Sequence, residues 1–567
     1  MFQPGPTARP ARLFLILVLA LSALPARGVP GESLPGPVEA EGGALTVGTP
    51  TVADWAGFRT LHGELPVESD AAAWRLPFEA STAVDFAERR VQLHAIRLEK
   101  ASKPPLDSLA ETLEREGLSI DLDELIALLP ADFSIPVAAQ AAPQLNFAPP
   151  RIIVSERPQR LMLIDGPPAK VPIDGTALEF VVNTDWDVFH DTRGGAWYVL
   201  DDGRWITSNM LSSGDWQVAT TLPNDFLTLQ LNSDWPQVAA AMPPRAGDRP
   251  LPITISYEPT ELILIDGPAE TGDIGGGLGY VVNTASDLFL YADRYYYLAA
   301  GRWFNTKRLD RQWFAVRKLP AAFAEIPEDH VKAHVLAAVP GTPAARRAAI
   351  EAAIPRLATV APSAADAVSV PYLGPPSFVP IEGTPLRRAE NTPFQVIQHN
   401  NFYYLCHAGA WYASADPQGS WSAAREVPQA IYDIPPTDPA YNVTFVKLDS
   451  FDADSGRAAY VSTSGYYNRY YTGSTMVYGT GWHHPGYYRG SAYWGYPRTY
   501  GYYGSWGGYW PYVPPVSETF EIDRREVDWE WDLDGGKRRV YDYGPRNRVG
   551  APYTPPAGAT YSDDSEG

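Results

Sequence analysis

Several groups of side chains in this 567-residue chain have types and spacings that could do chemistry. Asn183, Asp185 and Asp187 bring hard oxygen donors into one short turn, the donor set that calcium takes. Their plainer role is an Asx-type turn at Asn183-Thr184 with solvated acids beside it. His330 and His334 have the spacing that puts two zinc ligands on one helix face. Val331, however, stands where a His-Glu-x-x-His protease carries its glutamate, and no third ligand is evident. His483-His484 are of a type that contacts transition metals. Calcium or a transition metal is therefore permitted as a cofactor, and none is required. Cys406, the one cysteine, precedes His407, but strand neighbours point to opposite faces, so a small buried strand residue is the simpler reading than a catalytic thiol. The chain carries 17 tryptophans, and their flat apolar faces with a polar edge are what sugar rings stack on. Gly-x-Ser-x-Gly, a phosphate loop and a complete dinucleotide motif are all missing from the sequence, which turns expectation away from common hydrolases and nucleotide enzymes.

The elements that must position these residues come in copies. Arg160-Leu-Met-Leu-Ile-Asp165-Gly, Phe180-Val-Val-Asn183-Thr184, Gly203-Arg204-Trp205 and Trp216 are answered in order by Glu261-Leu-Ile-Leu-Ile-Asp266-Gly, Tyr280-Val-Val-Asn283-Thr284, Gly301-Arg302-Trp303 and Trp313. A third copy keeps Ile381-Glu-Gly-Thr384, Asn391-Thr392, Trp411 and Trp421, with its opening strand degraded. Repetition works as a filter: a residue present in every copy belongs to the scaffold. The Trp205/Trp303/Trp411 and Trp216/Trp313/Trp421 columns are thus expected in cores. Trp186 has no counterpart, since Ser286 and Pro393 take its place, so Trp186 with Asp185 and Asp187 is the candidate ligand site. Trp482 and the His483-His484 pair, in an aromatic tail, are the others.

Each repeat is dense in short aromatic and β-branched runs broken by turn residues, as in Leu288-Phe-Leu-Tyr-Ala292, Tyr295-Tyr-Tyr-Leu298, Arg302-Trp-Phe-Asn305 and Gln312-Trp-Phe-Ala-Val316. The expected fold is mainly β. It comprises an N-terminal β-rich domain (44–104), a short helical spacer (105–149) and β repeats at 150–245, 251–345 and 371–450. A Tyr/Gly/Trp-rich low-complexity segment (460–516) and a charged tail (517–567) follow. A propeller-like ring would protect sheet edges, with tandem β units as the alternative. Helices are expected around Leu106, Leu109 and Leu113 up to Gly117, around Leu122, Leu125, Ile126 and Leu129, and from Pro343 to Ala353. The 460–516 segment is expected to be extended or disordered, and a hairpin is expected around Asp534-Gly-Gly-Lys537.

Residues 1–28 read as a signal peptide: Arg9 and Arg12, an apolar run from Leu13 to Leu24, and Ala26-Arg27-Gly28. Export to the periplasm, outer surface or medium follows as an expectation, with no transmembrane segment after cleavage. A net charge of −21 disfavours nucleic acid and anionic membranes as partners and permits a neutral ligand, a cationic surface or bridging metal.

Trp55-Ala-Gly, the tandem Asp-Gly, Asn-Thr, Tyr-Tyr-x-Leu and Gly-Arg-Trp landmarks, and Val477-Tyr-Gly-Thr-Gly-Trp482 together resemble a group of secreted bacterial proteins, some described as similar to carbohydrate-binding family V/XII. The resemblance spans most of the mature chain and implies sugar binding, with no catalytic residues to carry over. The expected function is an exported, non-catalytic protein that binds a glycan or cell-envelope polymer through aromatic surfaces. The alternatives are a matrix protein self-associating through its aromatic tail, and an exported hydrolase whose acids sit in ordinary turns.

Overall fold

The computed structural model describes residues 32–482, with interruptions that include 34–35, 41–42, 87–88, 100–103, 136–144, 182–183, 231–235, 363–367 and 473–474, together with strands at 526–531 and 537–542. Those last strands, Glu526–Trp531 and Lys537–Asp542, pair as the antiparallel hairpin that Asp534-Gly-Gly-Lys537 predicts. Mainly β structure is the result throughout.

The N-terminal unit is an eight-stranded sheet curled into a half-barrel. Its long strands Thr60–Glu68, Ala73–Asp85 and Arg90–Leu98 pair antiparallel, and alternation along them turns Leu61, Leu65, Leu76, Phe78, Val91 and Leu93 inward. Trp55 is fully buried, and its indole N–H donates to Thr82 Oγ1 at 2.9 Å. The two helices expected as a spacer form at Pro104–Glu116 and Leu122–Leu128, the second capped by Asp121. They are not a spacer. Their leucines complete the core of this sheet, and four of the five residues between them, Leu118–Asp121, are a strand within it. An amphipathic helix beside an uncovered apolar sheet face buries its stripe there instead of standing free.

The repeats form three six-stranded antiparallel meanders with strands in chain order. The second runs Thr271–Gly275, Leu278–Val281, Asp287–Tyr291, Arg294–Ala299, Arg302–Thr306 and Phe314–Ala315. Both residues of its Ala300-Gly301 turn have positive φ, at 48° and 76°, as a type I′ hairpin requires. Gly301 is also sterically obligatory, because a Cβ there would lie 2.2 Å from the carbonyl oxygen of Met476. In the first two repeats the threonine of the Asn-Thr landmark ties the opening strand to its sheet: Thr184 Oγ1 donates to Leu163 O at 2.6 Å and Thr284 Oγ1 to Leu264 O at 2.5 Å.

No propeller forms among the described residues. Each of the first two meanders has apolar clusters of its own, Phe180, Phe189 and Trp205 with Phe226 in one and Val181, Val188, Val199 and Ile206 in another for the first repeat. Such a sheet has no bare face left for a neighbouring blade. Its last strand is only two residues, Gln217–Val218, Phe314–Ala315 or Ser422–Ala423, so the edge is blunted by shortness without ring closure.

Repeats one and two are instead joined by reciprocal exchange. Arg160–Leu163 of the first pairs in parallel with Ile253–Ser256 of the second, while Thr260–Leu264 of the second pairs in parallel with Arg151–Ser155 of the first. The contact has the form of a pseudo-twofold interface, each copy giving what it receives. The third repeat, whose opening strand is degraded, packs against a three-stranded sheet of Arg356–Val360, Arg457–Ser462 and Val446–Asp452.

Part of the low-complexity segment is ordered. Tyr460 and Tyr470 are fully buried in the core of the third repeat, and Arg469–Thr472 pairs with Thr475–Tyr478. Tyrosine supplies core volume here while its hydroxyl finds an acceptor, Tyr460 donating to Ala424 O at 2.6 Å. The helix Pro343–Ala353 forms where expected and sends Ile350 into the N-terminal core.

Candidate functional site

The duplicated columns identify themselves by geometry. Trp205, Trp303 and Trp411 are buried, and each indole N–H donates to a backbone carbonyl 35 or 36 residues later: Ala241 at 3.2 Å, Ala338 at 2.8 Å and Val446 at 2.8 Å. They staple the segment after the meander onto its sheet. Trp216, Trp313 and Trp421 are also buried. Trp303→Phe is expected to destabilise the protein by about 2 kcal/mol, because it strands the Ala338 carbonyl and removes ring volume. A urea midpoint equal to that of wild type would remove this hydrogen bond from the account.

The His330/His334 pair does not make a metal site. The local chain is 3-10 helix, Ala333–Ala338, which breaks the shared face that an α-helix would give. His330 lies edge-on to Tyr280 at 5.0 Å, while His334 Nε2 sits 2.9 Å from Asp287 Oδ1 and Lys332 Nζ sits 2.8 Å from the same oxygen. The carboxylate accepts from both, which assigns the ring proton facing it to Nε2. Burial alone would raise the Asp287 carboxyl, but the charges and hydrogen bonds of His334 and Lys332 prevail and hold it well below its ordinary value. The third repeat shows what this group is for. At the positions of Asp287 and His334 it has Gln395 and Asn442, whose amides hydrogen-bond to each other. A slot filled by an ion group in one copy and an amide pair in the next is a structural lock.

The sequence-predicted ligand residues divide. Trp186 is half-buried against the apolar cluster of Val181, Val188, Val199 and Ile206 on the first repeat. Asp187 is buried at the position that Asp287 holds in the second repeat, so it faces inward and does not join Trp186 in a surface turn. Trp482 is 43% exposed beside Gly481, whose carbonyl accepts from Asn146 Nδ2 at 2.9 Å. Asp185, His483 and His484 lie outside the described residues. Cys406 is buried in the strand Phe402–His407, and burial pushes its thiol well up, against a smaller lowering by Tyr466. Among the described residues no three His, Cys, Asp or Glu side chains gather as a metal site.

What sequence reasoning missed is a row of side chains across the first four strands of repeat one. Register places Glu179 opposite His190 and His190 opposite Trp197, and Lys170 is diagonal to Glu179 on the same face. Glu179 Oε2 receives Lys170 Nζ at 2.6 Å and lies 2.8 Å from His190 Nδ1. The imidazole stacks on the indole of Trp197 with centroids 4.5 Å apart and planes inclined 34°. Lys170 Nζ stands 5.9 Å above that indole. The Lys170 hydrogen bond comes first and holds the Glu179 carboxyl below its ordinary range, against burial and with help from His190. All four side chains are partly solvated or exposed.

None of these four residues is kept in repeat two, where strand register puts Thr271, Gly279, Leu290 and Tyr295. The cluster therefore passes the filter that the duplicated tryptophans fail. Its residues lie 9, 11 and 7 apart in sequence, a spacing that means nothing until the turn lengths are known. Trp186 lies in the bend just before the strand Asp187–Asp191 and, like Trp197, packs against the apolar cluster of Val181, Val188, Val199 and Ile206. The arrangement offers an aromatic surface, one carboxylate acceptor and two nitrogen groups, a set suited to holding a polar ring.

Protein-family models, curated proteins and solved structures provide no match to this chain.

Proposed function

We propose that this is an exported, non-catalytic binding protein for a glycan or cell-envelope polymer, with its contact surface on the first β repeat. The observation that carries this reading is the Lys170, Glu179, His190 and Trp197 cluster, built on a strand scaffold whose second copy lacks all four. An indole beside hydrogen-bonding groups stacks on the apolar face of a sugar while the polar groups reach its hydroxyls. The cluster has one carboxylate, whereas glycoside hydrolysis uses two flanking the bond to be broken, which supports binding over cleavage. The −21 charge supports a neutral or cationic ligand over an anionic one. Among the described residues no helix is long and apolar enough to cross a membrane.

Polysaccharide pull-down and calorimetry on the full chain test this. Trp197→Ala is expected to weaken binding about tenfold or more, the loss of a stacking anchor. Trp186→Ala, in the bend before the His190 strand, is expected to weaken it less. Equal affinities for wild type and Trp197→Ala would take the cluster out of the function.

A further inference from the structure

The placement of Lys170 carries a more specific statement about the ligand. Its ammonium rests between a carboxylate at 2.6 Å and an indole face at 5.9 Å, the two partners that recognise an amine: a hydrogen-bonded counterion and a π surface. In the third repeat the positions equivalent to Lys170 and Trp197 are Phe378 and Tyr403, whose rings pack with centroids 5.3 Å apart. There the aromatic is covered by another apolar ring, and nothing about that contact is easily reversed in water. In the first repeat the cover is a flexible, hydrated ammonium on a side chain 35% exposed. A surface ion pair of this kind contributes little to stability, so displacing it costs little. The acidic chain attracts cations to its surface as a whole.

We propose that Lys170 is an internal stand-in for the ligand, and that the site between Glu179 and Trp197 takes a primary amine of an amino-sugar polymer. The ligand ammonium replaces Lys170 Nζ on Glu179, and the sugar ring beside it lies along Trp197. His190 is a positioning residue: its Nδ1 contact with Glu179 fixes the carboxylate, and its ring sets the tilt of the indole. A polymer of amino sugars is favoured over a lysine-rich peptide because the indole offers a flat face that a ring covers and an alkyl chain does not. Lys170 has a distinctive consequence. As a competitor it lowers affinity, whereas an ordinary binding lysine would raise it.

This inference rests on the glycan-binding reading, and one titration separates the two. Glucosamine oligomers, their N-acetylated counterparts and poly-lysine are titrated into the full-length protein at low and moderate salt. The wild type is expected to prefer the free-amine oligomer by about tenfold, a preference that salt diminishes. Lys170→Met, which keeps the apolar stem, is expected to bind that oligomer several-fold more tightly, and Glu179→Gln to lose the preference. Weaker binding by Lys170→Met overturns the stand-in role, and so does tighter binding of poly-lysine than of the amino-sugar oligomer. Binding of the N-acetylated form alone overturns this inference and leaves the glycan reading standing. Binding of neither sugar overturns both. An unchanged urea midpoint, followed by far-UV circular dichroism, in each variant confirms that the sheet is intact.

Discussion

Asp287→Ala is expected to destabilise the second repeat by about 3–5 kcal/mol. The substitution removes the one acceptor shared by Lys332 Nζ and His334 Nε2 and leaves two buried nitrogen groups without their counterion. Charge burial that is tolerable in a closed ion group becomes strongly unfavourable when one member is deleted. The repair is written elsewhere in the same chain. Gln395, Ala440 and Asn442 occupy the positions of Asp287, Lys332 and His334 in the third repeat, where the amides pair and no charge is buried. The triple variant Asp287→Gln, Lys332→Ala, His334→Asn is therefore expected to recover most of the loss, as buried ion groups replaced whole by neutral partners commonly do. Urea unfolding followed by near-UV circular dichroism measures both; a triple variant no better than Asp287→Ala would mean that the copies do not share this slot. The pH dependence has a defined sign. The folded carboxyl titrates below its ordinary value of 3.8, so its stabilisation is complete above the unfolded carboxylate range and is lost as pH falls below it.

Arg302→Met is expected to cost about 3–5 kcal/mol and to release the ordered start of the aromatic tail, since hydrogen bonds to a charged donor are worth more than neutral ones. The Arg302 guanidinium is buried and donates to four backbone carbonyls, from Nε to Asn146 at 3.0 Å, from Nη1 to Tyr478 at 2.7 Å and Ala300 at 3.3 Å, and from Nη2 to Gly479 at 2.8 Å. It thus clamps the entry to the first repeat and the end of the tail hairpin onto one turn of the second. Methionine fills the stem volume but gives no donors, so the carbonyls lose their charged partner, while Ala300 O keeps the backbone N–H of Tyr478 at 3.0 Å. Hydrogen exchange at Tyr478 and Gly479 and proteolysis after residue 472 are expected to accelerate. Arg204→Met, at the equivalent but more exposed position of the first repeat, is the control and is expected to leave both unchanged. Protection retained in Arg302→Met would show that apolar packing alone seats the hairpin.

These two residues show how far the sequence was legible. Arg302 was visible as part of a recurring Gly-Arg-Trp landmark, and the filter assigned it correctly to scaffold. Its particular task was not visible, because three of its four acceptors are carbonyls more than 150 residues away, on both sides in sequence. His334 stands in the sequence as half of a zinc-spaced pair, and nothing there joins it to Asp287, since 47 residues and a change from α to 3-10 geometry intervene. The strands of the second repeat and the helices at Pro104, Leu122 and Pro343 follow from patterns only a few residues long, and the burial of both tryptophan columns follows from their recurrence in every copy; those were readable. The helical spacer and the ring failed for a common reason: each depends on which surface is available to cover which.

The sequence by itself determined the local conformations and the threefold count of the repeat, because turn chemistry, strand alternation and helix periodicity act over a single turn or strand pair. It also determined which residues could not be special, by repeating them. Only the tertiary structure decided the partners. The strand exchange between repeats one and two, the seating of the tail on Arg302 and the meeting of Lys170, Glu179, His190 and Trp197 all depend on register across strands. A shift of one residue would turn each of those side chains to the opposite face, so their proximity is a property of the assembled sheet and of no stretch of sequence taken alone.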